Sequence, residues 1–186
     1  MKKSLITFGM LLALGVQPGM SYAENSSDAQ AATIANNGKT VDRKEGIRRR
    51  TAEDRKTYSA EQLSEIENLY QVANKMWSTP EAKTCLKVLI EKYPKANRTG
   101  CAVQYMGQMS SGEEKEKYLK LAITDFGDCY YGSGVQVGAY ARLYLGYYYK
   151  EKGMAKEAKA LFDEIRKDYP NAINHKGKRL VDNLPK

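Results

Sequence analysis

The sequence predicts an all-α protein built as an α-solenoid, and three observations support this. From residue 60 onward, apolar side chains recur with the period of a helix and not of a strand. One helix ending, closed by an aromatic residue and then Pro or Gly, recurs at residues 89–94, 122–127 and 164–170. A glycine also stands inside the apolar stretch 142–152, where it costs about 1 kcal/mol against Ala and so needs a packing reason. Such repetition is typical of stacked helix pairs.

Residues 1–23 have the features of a signal peptide. Two lysines precede an apolar run at residues 5–16, and Ser-Tyr-Ala at residues 21–23 provides the small residues that signal peptidase recognises. The run is shorter than the roughly 20 apolar residues of a membrane-spanning helix. We therefore expect cleavage after Ala23 and a periplasmic or secreted protein without a transmembrane segment. An uncleaved anchor is the alternative.

Residues 24–57 are polar and lack a periodic apolar pattern, which predicts a disordered linker. Removing Lys2 and Lys3 from the 30 Lys and Arg leaves 28 against 22 Asp and Glu, a net charge of +6. The densest basic run is Arg48–Arg50. It is interpreted either as part of a soluble tether or as a contact with an acidic partner or surface. Export and this modest charge argue against nucleic-acid binding.

The helical domain is predicted over residues 58–186, in three helix pairs and a terminal helix. Thr79 and Pro80 mark a helix start, because a hydroxyl can cap the helix and proline suits its first turn. The predicted pairs span about 63–96, 100–129 and 139–172, and a capping helix is expected at 174–184.

Residues 142–170 resemble the tetratricopeptide repeat, whose signature has Leu-Gly and an aromatic residue in its first helix and Ala, Phe and Pro in its second. The positions expected to pack the helices together are Gly107, Leu145, Gly146, Tyr149, Ala158, Phe162 and Pro170. Arg142 and Ala155 depart from the signature. The resemblance implies a right-handed α-solenoid of about three antiparallel pairs. The Tyr-Pro endings are most similar to exported bacterial members, such as periplasmic TolA-binding proteins and outer-membrane assembly lipoproteins. The sequence differs from both groups, since it shows neither the N-terminal coiled coil of the TolA-binding proteins nor the lipid-bearing cysteine of the assembly lipoproteins.

The resemblance also implies a non-catalytic scaffold whose first helices line a concave face that holds a peptide or partner helix. On that face we expect Glu67, Gln71, Asn74, Gln104, Gln108, Tyr140, Leu143, Tyr147 and Lys150. Amides can bond a peptide backbone, and tyrosines offer large contact area at low entropy cost. For any one position, an ordinary solvated or interhelical role is the alternative. Tyr130 and Tyr131 lie in a glycine-containing junction and are further candidates for partner contact.

The three cysteines and the single histidine do not form a recognisable catalytic or metal-binding motif. Antiparallel helices should bring Cys101 and Cys129 close together, which leaves two alternatives: a disulfide between them or two free thiols. Cys85 is expected to be a buried free thiol, and His175 a surface residue. No cofactor and no metal are expected, and no enzyme motif is found.

Two functions therefore remain open. The first is a protein–protein interaction scaffold of the bacterial cell envelope, with homo-oligomers left open. The second is an envelope factor that binds an anionic polymer or surface, such as peptidoglycan, through its basic N-terminal arm.

Overall fold

A computed structural model describes residues 43–185 of the chain. Its helices are α1 (Arg43–Thr57), α2 (Ala60–Lys75), α3 (Pro80–Lys92), α4 (Asn97–Met109), α5 (Gly112–Thr124), α6 (Val137–Glu151), α7 (Ala155–Asp168) and a short 3-10 helix (Leu180–Asn183). Within this range the structure contains two isolated β-bridges and no strand. The predicted all-α fold is confirmed. The predicted signal peptide, and residues 24–42 of the predicted linker, lie outside the described residues.

Three antiparallel pairs, α2–α3, α4–α5 and α6–α7, stack side by side as an α-solenoid. Local chemistry sets where the helices begin. At the start of α2, the Ser59 hydroxyl accepts from the backbone N–H of Gln62, and the Gln62 side chain accepts from the N–H of Ser59. Thr79 caps α3 by accepting from Ala82 N at 3.2 Å, as predicted. None of the described helices has the length and hydropathy needed to cross a membrane.

Glycines allow the paired helices to approach. A Cβ at Gly146 would lie 2.5 Å from the Phe162 ring, and one at Gly107 would lie 2.7 Å from the side chain of Leu119. The other predicted packing residues are also shielded from solvent: Leu145, Tyr149, Ala158 and Phe162 are buried, and Pro170, in the turn after α7, is partly buried. The central helix α4 is buried along residues 99–107, since it packs against both neighbouring pairs.

The same turn occurs in the loop after α5 and in the loop after α7. In the first, Tyr131 N donates to Val135 O, and in the second Asn174 N donates to Lys178 O, both at 2.9 Å. Each turn contains a glycine with positive φ, Gly134 at 83° and Gly177 at 74°, a conformation that favours glycine. The recurrence extends the repeat beyond the helices into the junction loops.

Two of the predicted boundaries are wrong. Residues 43–57 form helix α1 rather than a linker. Periodicity could not show this, because polar groups hold α1: Asp54 accepts from Asn97 N at 3.0 Å, and Arg50 donates to Lys95 O at 3.0 Å. The predicted capping helix at 174–184 is only the 3-10 helix Leu180–Asn183, since the turn around Gly177 uses the residues before it.

Candidate partner-binding face

The first helices of the three pairs form one face of the stack, here called the inner face, in which α4 contacts both α2 and α6. The nine predicted partner-binding residues all belong to these helices. Their side chains differ in accessibility, because several are already engaged in contacts between the helices.

Glu67 and Gln71 belong to a polar cluster that joins α2 to α4. Arg98 donates to both carboxylate oxygens of Glu67, at 2.8 and 3.0 Å, and Gln71 donates to the same carboxylate at 2.6 Å. The Arg98 guanidinium also lies over the Tyr70 ring, 4.4 Å from its centroid. Burial acts to raise the pKa of Glu67, but the hydrogen bonds from Arg98 and Gln71 outweigh it, so this pKa lies below its usual value. The Glu67 charge is therefore neutralised within the protein.

Asn74 helps to hold an aromatic corner at the end of α2. The Tyr105 hydroxyl donates to Asn74 Oδ1 at 2.7 Å, and the Trp77 ring meets the Tyr105 ring edge-on, with 4.8 Å between centroids. Trp77 nevertheless leaves 44% of its surface exposed. The next residue, Ser78, has φ of 68°, which is uncommon for a residue other than glycine. The corner therefore presents a large ring that the fold has not covered.

Gln104 lies beneath the inner face rather than on it. Its exposed fraction is 0%, and its Oε1 accepts from Gln108, at 2.5 Å, and from the Tyr131 hydroxyl. The prediction that Gln104 contacts a partner is thus wrong, because it serves as a buried acceptor. Tyr130 and Tyr131, also candidates for partner contact, are buried at 4% and 3% exposure, since the turn of their loop directs both rings inward. Burial raises the pKa of Tyr131 well above its usual value.

His175 joins the C-terminal loop to the inner face. Its ring meets those of Tyr131 and Tyr140 edge-on, with centroids 4.8 and 5.1 Å away, and Nδ1 lies 3.2 Å from Ser133 Oγ. Tyr140 in turn contacts Tyr144 at 5.0 Å. Burial lowers the pKa of His175. The residue is at the surface, as expected, but it has a specific place between two loops that the sequence did not indicate.

Together these rings form a continuous series, here called the aromatic row: Trp77, Tyr105, Tyr131, His175, Tyr140 and Tyr144. Consecutive centroids lie 4.8 to 5.6 Å apart. Trp77 and Tyr105 were not predicted to belong to the site. The one signal that pointed to Trp77 is that the single tryptophan of the chain follows a helix end at a polar turn.

The remaining predicted residues lie toward the C-terminal side of α6. Tyr147 is 38% exposed, packs against Phe162, and donates to Asn183 O at 3.4 Å. Leu143 is partly buried, and Lys150 is exposed. Of these side chains, Tyr147 contacts the short 3-10 helix.

The structure contains no disulfide between Cys101 and Cys129. Both cysteines are free, and the Cys101 thiol points toward Tyr130 O at 3.5 Å. Cys129 packs closely against Gly100, because a Cβ on Gly100 would lie 2.6 Å from Cys129 Sγ. Burial raises the pKa of both thiols, that of Cys129 to about 12. Cys85, expected to be buried, is partly exposed. Within residues 43–185, no group of three or more His, Cys, Asp or Glu side chains could hold a metal ion.

The basic run of α1 is divided between two roles. Arg50 has only 15% of its side chain exposed, and both Arg49 and Arg50 face the Asp128 carboxylate, at 3.3 and 3.7 Å. Arg48 and Arg55 point outward and are exposed. Part of the charge that the sequence suggested for an external partner is therefore used to hold α1 against the junction loops.

Comparison with known proteins identifies one repeat. Residues 140–172, which cover most of α6, all of α7 and the four residues after it, match the family model described as tetratricopeptide repeat. Searches of curated proteins and of solved structures gave no significant match. The match coincides with the segment whose Gly146 and Phe162 interlock, so the family signature and the observed packing agree there.

Proposed function

We propose that this chain is a non-catalytic scaffold for protein–protein interaction in the bacterial cell envelope, holding a peptide or partner helix on its inner face. The observation that carries the proposal is the tetratricopeptide repeat at 140–172, set in a stack whose first helices share one face. That repeat supports a protein-binding role. The envelope location is supported by the signal-peptide features of residues 1–23.

Affinity capture from an envelope extract tests the proposal with the mature chain and two matched variants. Trp77→Ala removes an exposed ring from the inner face, and Met154→Ala removes a side chain of comparable exposure at the start of α7. We expect a partner that the wild type and Met154→Ala retain and that Trp77→Ala loses. Equal retention by both variants would contradict binding on the inner face. Fractionation and N-terminal sequencing test export, with the mature chain expected to begin at Glu24.

A second candidate function is binding of an anionic polymer or surface through α1. It is supported by the outward side chains of Arg48, Arg55 and Lys56, which are exposed on a helix of otherwise polar residues. Deleting α1 would confuse the test, because Asp54 and Arg50 support the junction before α4. Replacing the three outward cations by Gln leaves those contacts intact. If this function holds, the replacement abolishes cosedimentation with peptidoglycan, and added salt weakens the binding steeply.

A further inference from the structure

One side of α2 is left uncovered by the described part of the chain. Six residues of α2 and its C-cap form this side at helical spacing, and they are here called the outer stripe: Glu61, Glu65, Asn68, Leu69, Val72 and Met76. A shallow surface depression runs along the stripe, and every residue that lines it belongs to α2. Glu67 and Asn74, which contact α4, lie on the opposite side of the helix. The outer stripe is therefore the open end of the stack among the described residues.

The apolar residues of the outer stripe are exposed, whereas their equivalents in the other first helices are buried. When the repeats are aligned, Leu69 corresponds to Met106 in α4 and to Leu145 in α6. Met106 and Leu145 are 1% and 2% exposed, because α4 packs against α3 and α6 packs against α5 of the preceding pairs. Leu69 is only partly buried, and Val72 and Met76 are 41% and 39% exposed. An apolar surface at the end of a helical stack needs a partner to cover it, because terminal repeats are otherwise polar on their outer face.

The outer stripe is complementary to itself when two copies of α2 lie antiparallel. Its centre falls between Asn68 and Leu69, so residues equally distant from that point meet across the two helices. The Glu61 end of one copy then lies at the level of Lys75 in the second copy. With about 3.6 residues per turn, Glu61 and Lys75 project from the same flank of the stripe. A twofold axis perpendicular to both helices keeps each flank on its own side, so a carboxylate meets an ammonium group at both ends of the contact.

Both of these charges are available for a contact between copies. Glu61 and Lys75 are exposed, and neither forms an ion pair among residues 43–185. The other carboxylate of the stripe, Glu65, is already engaged, because Lys92 and the Tyr93 hydroxyl each donate to it at 2.6 Å. The Glu65 charge is therefore balanced within its own copy.

The centre of the contact also pairs identical residues. Leu69 meets Leu69 of the second copy on one flank, and Asn68 meets Asn68 on the other, where each amide can both donate and accept. Val72 and Met76 extend the apolar contact toward both ends. One set of residues thus supplies both halves of every contact, which is the property of an interface with twofold symmetry.

We propose that two copies of this chain form a twofold dimer through their outer stripes, with the two α2 helices antiparallel. Helix α2 has 16 residues and is therefore about 24 Å long. A contact one helix wide buries less surface than a standard interface, so we expect a dimer that dissociates at micromolar concentration. This inference goes beyond the proposed function, because the inner face lies on the other side of α2 and stays accessible in the dimer.

Sedimentation velocity of the mature chain at rising micromolar concentration measures the association. We expect monomer to convert to dimer and to no larger species. Val72→Glu places a carboxylate in the apolar part of the stripe and should weaken the dimer by about 30-fold or more. Met154→Glu introduces the same charge at a similarly exposed apolar residue outside α2 and should match the wild type. A mature chain that stays monomeric, a Val72→Glu dimer as strong as that of the wild type, or oligomers that grow beyond the dimer would each overturn the inference.

Exchange of the two charges tests the antiparallel arrangement. Glu61→Lys alone and Lys75→Glu alone place like charges opposite each other at both ends of the contact, so each should weaken the dimer by about 10-fold. An equimolar mixture of the two single variants should associate as the wild type does, because every contact between them then joins opposite charges. A mixture that associates no better than either variant alone would contradict the arrangement. Circular dichroism checks that each variant is folded.

The dimer and the scaffold function are tested by different residues, so their failures can be distinguished. Val72→Glu should lose the dimer and still retain a captured envelope partner, whereas Trp77→Ala should lose the partner and still form the dimer. If capture depends on Trp77 but the mature chain is monomeric, the dimer is wrong and the scaffold function stands. If the dimer forms as expected and no partner depends on Trp77, the reverse holds.

Discussion

Gly146→Ala tests the packing on which the stack depends. In an exposed helix position, replacing Gly by Ala stabilises by about 1 kcal/mol, because Ala loses less backbone entropy. At Gly146 the new Cβ would lie 2.5 Å from one Phe162 ring carbon and 2.9 Å from the next. Phe162 is 3% exposed, so its ring has little room to move. Overpacking of this kind costs about 1–3 kcal/mol. We expect the variant to be less stable than wild type by up to about 2 kcal/mol.

Urea denaturation followed by far-UV circular dichroism measures this change, with Ser64→Ala on the exposed side of α2 as the propensity control. The control should be slightly stabilised, by about 0.5 kcal/mol. Phe162→Leu in the Gly146→Ala background should relieve the clash, which a double-mutant cycle detects as a coupling of about 1 kcal/mol. Stabilisation of Gly146→Ala by the full 1 kcal/mol of helix propensity would refute the close approach of α6 and α7.

Three further predictions concern the polar contacts, the histidine and the thiols. The pKa of Glu67 is lowered in the folded state, so its contribution to the free energy of unfolding is present at neutral pH and is lost as acidification protonates the carboxylate. Glu67→Gln should remove this acid sensitivity of the stability, which is worth less than about 1 kcal/mol for a partly exposed ion pair. Burial lowers the pKa of His175, so the folded state favours the neutral imidazole and the free energy of unfolding falls as the pH drops below about 6.5. The imidazole resonance of His175 in NMR should therefore titrate with a midpoint below that pH. A midpoint above it would contradict the packing of His175 between the two loops. In alkylation of the native protein followed by mass spectrometry, Cys85 should react first, and reaction of either buried thiol as fast as Cys85 would contradict their burial.

Local patterns in the sequence were enough to predict the helix pairs. The Thr79-Pro80 start and the tyrosine-proline endings act within a few residues, so they mark helix boundaries without knowledge of the fold. Gly146 and Phe162 could be recognised as packing residues because the interval between them follows from the geometry of two antiparallel helices. The match to the repeat model at 140–172 agrees with that prediction.

The candidate site was predicted only in part, because a helix face shows which residues are neighbours but not which of them are already engaged. Gln104 and Gln108 occupy the same face by periodicity, yet one is fully buried and the other only partly. The difference arises from Tyr131, whose hydroxyl reaches Gln104 from a loop more than twenty residues away. Helix α1 was missed for a related reason: its docking depends on carboxylates and carbonyls of distant loops, which leave no apolar period in the sequence.

The sequence by itself determined the class of the fold, the three helix pairs and the repeat near the C-terminus, since these follow from side-chain period, capping and the size of residues at fixed intervals. Only the tertiary structure decided that Trp77 is held exposed on Tyr105, that His175 links two loops, and that Arg49 and Arg50 face Asp128. The physical reason is how far apart in the sequence the interacting residues lie. Helix formation depends on neighbours within a turn or two, whereas ring contacts and ion pairs between loops depend on where the whole stack places them.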